Sequence, residues 1–374
     1  MAKKRLKIAI FEISRILPGG GAKSLAYTSS YLSKHHDVTI FTQRLPAEKV
    51  DFNKSQIKFI KPRNRWCAPF TFLFHKLNDK EKFDLVIYGC FPATLAIFGN
   101  KKYPSIHISH TPPRFFYDLK EHLLKNSGIL GKLNVYVKNL LFKKLEYSAI
   151  QKIDKILVVG QEIKERVKRY YNRESDIYYT GIDPKKFRKG RYDNYILSVC
   201  RLVSAKRPDL IVKSMGFVKN KDIKLIMVGT GDMDEKIKDI VKKYPNIEFK
   251  GYVSDEELVN LYANCLAAVY VPIREDRGYA QMEAAMSEKT TISVNEGGIP
   301  ECILDGKTGF LINDITPQKL AEKIDLLANN RKLAIKMGKA ARKYCARFEL
   351  DKCFPKLDKA IEEVLIKGKI DDKF

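Results

Sequence analysis

The stretch that decides the fold runs from Ala267 to Glu283. Ala267-Ala268-Val269-Tyr270-Val271 is a short apolar run, and a loop carries it into Glu275-Asp276-Arg277-Gly278-Tyr279-Ala280-Gln281-Met282-Glu283. An uninterrupted apolar run of this length, rich in Val and Tyr, reads as a buried strand. Residues Tyr279–Ser287 read as the helix that follows it. Glu275 lies in the loop and Glu283 about one turn inside the helix, with Gly278 between them. In open α/β sheets ligands bind beyond the carboxyl ends of the strands, so loops of this kind are where chemistry is sought.

Working outward, the same unit recurs in both directions. Tyr195–Val199, Lys224–Val228, Ile247–Lys250 and Thr291–Val294 read as companion strands. Pro208–Val218, Asp234–Lys243, Asp255–Ala263 and Pro317–Asn329 read as their helices. Upstream, Lys7–Glu12, Asp37–Thr42, Ile57–Ile60, Leu85–Tyr88, Ser105–Ser109, Lys155–Val159 and Ile177–Tyr179 form a second set of strands. Ala22–His35 and Ile129–Ile153 lie among them as helices. Repeated βα alternation predicts parallel sheets covered by helices. At 374 residues two domains are expected. The polar, basic segment Asp183–Arg191 is the natural seam, which gives domains over 1–187 and 188–352. The charged amphipathic stretch 353–374 is expected to form a last helix.

The net charge is +25. Residues 1–187 hold 35 Lys and Arg against 16 Asp and Glu, or +19, and the remainder 34 against 28, or +6. A basic first half suits anionic lipid, phosphate-bearing substrate or nucleic acid, though lysine is abundant throughout. No recognised nucleic-acid module accompanies the charge, so no nucleic-acid partner is expected. The seven cysteines are scattered and never in a Cys-x-x-Cys pair, which argues for reduced thiols in a cytoplasmic protein and against zinc. Lys3, Lys4 and Arg5 before Ile8-Ala9-Ile10-Phe11 imitate a signal peptide. Glu12 interrupts the apolar run at once, so a first strand is expected instead. No apolar run is long enough to predict a membrane span.

Three further loops carry candidate chemistry. Pro18-Gly19-Gly20-Gly21-Ala22 opens the first helix, where glycines admit a ligand and free N–H groups suit an anion. It lacks the Gly-x-Gly-x-x-Gly fingerprint, and a flexible turn would look the same. Arg201 follows the strand Tyr195–Val199, with Lys206 five residues on, two cations that suit a diphosphate. Asn295-Glu296-Gly297-Gly298-Ile299-Pro300-Glu301 and Asp305-Gly306-Lys307-Thr308-Gly309-Phe310 follow the helix after Glu275. Asp232-Met233-Asp234 could be taken for a metal motif, but Asp234 is placed to cap a helix. His107 and His110 could be taken for a metal pair, but residues three apart on a strand face opposite ways.

Together these residues resemble the family 4 retaining glycosyltransferases of the GT-B fold. The resemblance rests on Arg201…Lys206, Val228-Gly229-Thr230-Gly231-Asp232, Phe249-Lys250-Gly251-Tyr252-Val253, Glu275…Glu283, Gly-Gly-x-x-Glu at 297–301 and the Asp-Gly-x-x-Gly turn. Gly20-Gly21-Ala22, His36-Asp37-Val38 and His110-Thr111-Pro112-Pro113-Arg114 agree in the first half. The string from His110 to Tyr117-Asp118 is similar to that of mannosyltransferases acting on lipid-linked glycans and surface polysaccharides.

The resemblance implies two Rossmann-like domains facing across a cleft, with the last helix crossing back to the first domain. It implies a hexose, mannose being one candidate, moved from a GDP- or UDP-hexose to a glycan or lipid-linked acceptor, with no metal and no cofactor. Gly20 and Gly21 belong with the donor. Arg201 and Lys206 neutralise its diphosphate, Glu283 binds ribose and Glu275 the donor sugar. The backbone of Gly278, Tyr279 and Ala280 holds phosphate and sugar, and Gly251, Tyr252 and Val253 frame the base. His110 lies beside the sugar. Retention by front-face attack is implied, with the leaving phosphate taking the acceptor proton. Arg277 stands where an aromatic is usual, Glu288 where glycine is usual and Thr290 where proline is common. Arg277 is expected to add a cation near the donor sugar, and Glu288 to change the helix end locally. These departures keep open a non-catalytic subunit of the same fold that binds a partner or glycan. Leu119–Ile153, where lysines alternate with apolar residues, is the candidate for peripheral contact with an anionic membrane at its inner face. An ordinary helix packed on its sheet is the alternative.

Overall fold

The structure, a computed structural model, describes residues 5–12, 20–43, 52–62 and 67–371. Lys3, Lys4, Pro18 and Gly19, singled out above, lie outside these residues, as do 372–374. The chain forms two units: Met1–Gly181 with Leu350–Phe374, and Ile182–Glu349. These boundaries fall a few residues before 187/188 and 352/353.

The first unit runs β1 (Lys7–Phe11), α1 (Gly20–Ser33), β2 (Asp37–Thr42), β3 (Gln56–Phe59), α2 (Ala68–Leu73), β4 (Leu85–Tyr88), α3 (Ile97–Asn100), β5 (Ser105–Ser109), α4 (Lys120–Asn126), α5 (Ile129–Gln151), β6 (Lys155–Val158), α6 (Gln161–Tyr171) and β7 (Asp176–Ile177). Its sheet is parallel in the order β3-β2-β1-β4-β5-β6-β7. Successive side chains of β1 go to opposite faces, as a strand requires. Ile8 and Ile10 enter one core with α1, while Ala9 and Phe11 enter another with Phe72 and Phe142.

The second unit runs β8 (Tyr195–Val199), α7 (Pro208–Ser214), β9 (Lys224–Val228), α8 (Asp234–Val241), β10 (Ile247–Gly251), α9 (Asp255–Asn264), β11 (Ala267–Tyr270), α10 (Ala280–Met286), β12 (Thr290–Val294), β13 (Gly309–Ile312), α11 (Pro317–Asn329) and α12 (Arg331–Cys345). Its order is β10-β9-β8-β11-β12-β13, again parallel. Leu197, Ala268, Tyr262 and Ala284 share one core. The last helix, α13 (Leu350–Asp371), belongs to the first unit. Phe354 stacks on Tyr31 of α1 at 3.8 Å between ring centres, and Leu357, Ile361 and Val364 join the core of Ile8 and Ile10.

In both sheets the strand order reverses at one place, between β1 and β4 in the first unit and between β8 and β11 in the second. Connections leave such a pair in opposite directions and open a crevice at the carboxyl ends. Those ends carry Glu12, Gly89 and Cys90 in the first unit, and Arg201 and the loop Val271–Gly278 in the second.

Candidate functional site

In the second unit the chain leaves β8 at Cys200 and Arg201 and makes a short 3-10 turn over Ser204–Lys206. Arg207 then takes a left-handed conformation, φ 49°, and Pro208 starts α7. The turn is fixed to the loop after β11, because Ile273 donates its N–H to the Ala205 carbonyl at 2.8 Å. Lys206 is thereby aimed at the carboxyl end of β11. Its Nζ pairs with Glu275 Oε2 and donates to Tyr270 Oη at 2.8 Å. Lys206 and Glu275 are both largely buried. Burial, and then the Glu275 charge, push the Tyr270 phenol well above its ordinary value. Burial pushes the Cys200 thiol up to about 11, with the Lys206 charge opposing. Arg201 lies near enough to act electrostatically on both groups, and it makes no ion pair among the described residues.

A second clamp lies beside the first. Arg207 donates to the carbonyls of Val271 and Pro272 at 3.3 and 3.1 Å and to Glu296 Oε1 at 2.9 Å. Glu296 Oε2 accepts the Arg274 N–H at 3.1 Å. Gly297 and Gly298 let this loop press on the Glu275 backbone. A Cβ on Gly298 would lie 2.0 Å from the Asp276 carbonyl oxygen, and Gly297 needs φ 60°. Gly298 N–H donates to the Glu275 carbonyl at 2.8 Å. The glycine pair thus sets where Glu275 stands.

The remaining candidates fall around this loop. Gly278, at φ 76°, packs against the Tyr270 ring, and Tyr279 and Ala280 lead into α10. Glu283 is 4% exposed. It acts on the buried Tyr262 of α9, whose phenol is pushed well up by burial first and by this charge second. Gly251 ends β10 at φ 64° with open space around its Cβ position, and its carbonyl accepts the Gly229 N–H at 2.8 Å. Tyr252 beside it is exposed, and Val253 packs against the core of Leu197 and Ala268. Asp234 spends its carboxylate on the Gly231 N–H at 2.7 Å. Among the described residues, no group of three or more His, Cys, Asp or Glu could hold a metal ion.

Arg277 departs from expectation. It is buried, with its guanidinium 4.6 Å from the Phe348 ring centre and donating to Met282 Sδ at 2.9 Å. The position that usually holds an aromatic is filled here by a cation laid on one. Glu288 keeps the left-handed backbone, φ 58°, that explains the usual glycine, and its carboxylate pairs with Lys189 at 2.7 Å. The residue after Ser287 thus turns the chain out of α10 in a left-handed conformation.

In the first unit Gly20 and Gly21 begin α1, and a Cβ on Gly21 would meet nothing. One turn on, Ser24 Oγ hydrogen-bonds His110 Nε2 at 2.6 Å, and His110 Nδ1 meets Cys90 Sγ at 3.5 Å. His110 follows β5, so α1, β4 and β5 all converge on its ring. Glu12 ends β1 buried, with its carboxylate against Gly89, where an added Cβ would come within 1.8 Å. Glu12, Ser24, Thr28, Gly89 and His110 line one small pocket. His107 turns away to the Tyr88 carbonyl at 3.0 Å, and burial lowers it to about 4. Beyond His110, Arg114 holds Asp118 at 2.7 Å, and Arg166 pairs with Glu162 at 2.9 Å.

Sequence reasoning did not single out Ser24, Cys90, Gly89, Tyr270 or Arg207 as parts of a site. Tyr270 carried the best signal, as the last residue of a strand at the reversal point. Ser24 and Cys90 carried none, since they meet His110 across 86 and 20 residues of chain.

Residues 180–344 match the family described as glycosyl transferases group 1, and residues 18–186 match glycosyltransferase family 4. An uncharacterized glycosyltransferase of Methanocaldococcus jannaschii is 28% identical over 214 residues, 56% of this chain and 60% of that protein. A GDP-mannose-dependent alpha-(1-6)-phosphatidylinositol monomannoside mannosyltransferase of Mycobacterium tuberculosis is 27% identical over 174 residues, 43% of this chain and 44% of that one. The chain thus spans three fifths or less of these relatives' length. The Anabaena protein HepE, solved in complex with UDP-glucose, superposes with a TM-score of 0.75 at 14% identity, covering 96% of this chain and all of that one. That likeness gives the fold, GT-B, with two Rossmann-like domains. Two family matches in tandem over residues 18–344, on that fold, make this chain a member of the family 4, group 1 glycosyltransferases.

Proposed function

We propose that the chain is a retaining, metal-independent hexosyltransferase using a nucleoside diphosphate sugar. One observation carries this most: Lys206 and Glu275 are paired at the reversal point of the second sheet, with Arg201 near them and, among the described residues, committed to no carboxylate. A cation and an anion side by side suit the two halves of a sugar phosphate. Breaking the anomeric bond leaves positive charge on the sugar and negative charge on the departing diphosphate. Arg201 and Lys206 stabilise the diphosphate, and charge fixed in advance where charge develops is one of the strongest sources of rate enhancement. Glu275 accepts hydrogen bonds from the sugar hydroxyls and Glu283 from the ribose. Tyr252 and the turn at Gly251 meet the base, and the loop Gly278–Ala280 closes on the phosphate. His110 acts beside the sugar, its ring held by Ser24 and Cys90. The acceptor hydroxyl attacks from the face the diphosphate leaves, and the leaving phosphate takes its proton.

The HepE complex supports a nucleotide sugar as donor, and the mycobacterial relative supports mannose and an acceptor carried on a lipid. Seven free thiols support a reducing compartment such as the cytoplasm. Among the described residues no helix is long and apolar enough to cross a membrane. The acceptor is read as a glycan or lipid-linked chain met at an anionic membrane surface. Arg277 turns inward onto Phe348 and Glu288 pairs with Lys189, so neither side chain enters the Lys206–Glu275 pair, which supports the catalytic reading over the non-catalytic one.

The test is a panel of GDP- and UDP-sugars screened by thermal shift, since a ligand that binds only the folded state raises its stability. One donor class should stabilise the protein and support turnover that His110→Ala and Glu275→Ala abolish. Stabilisation by none of them ends the proposal.

A further inference from the structure

Helix α5 carries apolar residues on two opposite sides. Toward its own unit it buries Val135, Phe142, Ala149 and Ile150. Away from it stand Ile129, Leu130 and Leu140, each 80% exposed or more, with Leu133, Val137 and Leu141 also exposed. At about 100° per residue these six fall within an arc of roughly 120°, opposite the buried side. Tyr136 and Tyr147 extend the same face. The exposed apolar side chains run from Ile129 to Leu141, so the stripe is about 18 Å long, or about 27 Å with Tyr147. An apolar surface this continuous marks an interaction site and not ordinary solvent exposure.

Charge decides what covers it. Between His122 and Leu145 the chain has no acidic residue and five lysines. Helical geometry sets Lys132 and Lys143 along one margin of the stripe, Lys138 along the other and Lys144 within it. Two copies of this face would bring like charges together along the full helix, which costs a self-association several-fold in affinity. A surface with an apolar interior and negative headgroups answers both features. Apolar side chains enter the boundary of headgroup and acyl chain, lysines lay their stems on the apolar edge and reach the headgroups, and tyrosines suit the interface.

We propose that the outward face of α5 docks this protein on an anionic lipid bilayer, with the helix lying in the plane of the interface. The inference names the partner surface of the transferase reading and rests on that reading only for what the bilayer presents. The test is flotation of the full chain with vesicles of phosphatidylcholine alone and of phosphatidylcholine with phosphatidylglycerol. The mixed vesicles should bind it about tenfold or more tightly, and less so as salt rises. The triple variant Leu130→Ser, Leu133→Ser, Leu140→Ser should lose binding to both, without loss of thermal stability, because all three side chains are exposed. Lys132→Gln with Lys138→Gln, Lys143→Gln and Lys144→Gln should lose the anionic preference. Nucleoside diphosphate binding in solution, measured in parallel, should be unchanged in both variants, which separates failure of docking from failure of the transferase reading. The proposal is overturned if the triple variant floats as well as the parent, or if the parent floats with neither vesicle. It is also overturned if the parent is a dimer that the triple variant breaks, since a second copy then covers the face.

Discussion

Glu146 is the sharpest test of the physics inside the first unit. It lies on the inner side of α5, 1% exposed, and accepts hydrogen bonds from Thr94 at 2.5 Å and Tyr171 at 3.4 Å. Burial raises its carboxyl from 4.5 to about 7, even though both hydrogen bonds pull the other way. For an acid with a raised folded pKa, the folded chain keeps a proton that the unfolded chain releases. Its stability is fully present below about pH 4.5 and is lost as pH rises through 7. A shift of this size at 1.36 kcal/mol per pH unit is a penalty of about 3 kcal/mol at pH 8 and below about 1 kcal/mol at pH 5. Glu146→Gln keeps the shape and cannot ionise, and the Thr94 and Tyr171 hydroxyls can turn to suit the amide. It should stabilise the first unit by about 2–3 kcal/mol at pH 8, and by under about 1 kcal/mol at pH 5. Urea unfolding followed by circular dichroism should show a midpoint rise of about 1 M at pH 8, given a slope near 2 kcal/mol per molar. Hydrogen exchange of α5 peptides would assign the rise to this unit. An equal gain at both pH values, or a loss at pH 8, would refute the assignment of the penalty to buried charge.

Other outcomes follow from single contacts. Lys289 is fully buried, lies over the Tyr192 ring and donates to the Arg191 carbonyl; burial lowers it to about 8. A base with a lowered folded pKa gains stability as pH rises between about 8 and 10.5, so thermal midpoints should climb across that window more in the parent than in Lys289→Met. Glu288→Gly should stabilise the second unit by about 0.5–1 kcal/mol, read as a higher melting midpoint, because glycine takes φ 58° freely and the ion pair lost is mostly solvated on the Lys189 side. Gly298→Ala places a methyl against the Asp276 carbonyl and should shift the Glu275 loop, weakening donor binding about tenfold or more by calorimetry while the circular dichroism stays native.

Much of this architecture can be read along the chain because buried parallel strands are short, apolar and bounded by turns. Asp37–Thr42, Leu85–Tyr88, Ser105–Ser109, Tyr195–Val199 and Lys224–Val228 are strands with the ends expected. Gly309–Ile312 hides at the end of a glycine turn, since only Phe310, Leu311 and Ile312 advertise β13 and its partner β12 supplies the rest. Helix α12 hides too, because Arg331–Cys345 mixes lysines with alanine and a glycine, and its apolar side is defined only by what it packs on. The charged groups are visible at Arg201, Lys206, Glu275 and Glu283, but their pairing is not. Lys206 and Glu275 are 69 residues apart, and nothing local says that one neutralises the other. Arg277 shows the opposite limit: its charge suggests a ligand, whereas Phe348, 71 positions on, takes it inside. The outward stripe of α5 is not legible as a separate face because apolar residues surround most of the helix, and only burial tells the two sides apart.

The function proposed here requires above all that Arg201 and Lys206 hold a nucleotide's diphosphate. Calorimetric titration with UDP and GDP, set against uridine and guanosine, measures this most directly. Arg201→Met and Lys206→Met should each cut affinity for the preferred diphosphate about tenfold or more and flatten its dependence on salt, while leaving the weaker nucleoside binding as it was. Diphosphate affinity unchanged in both variants would contradict that role.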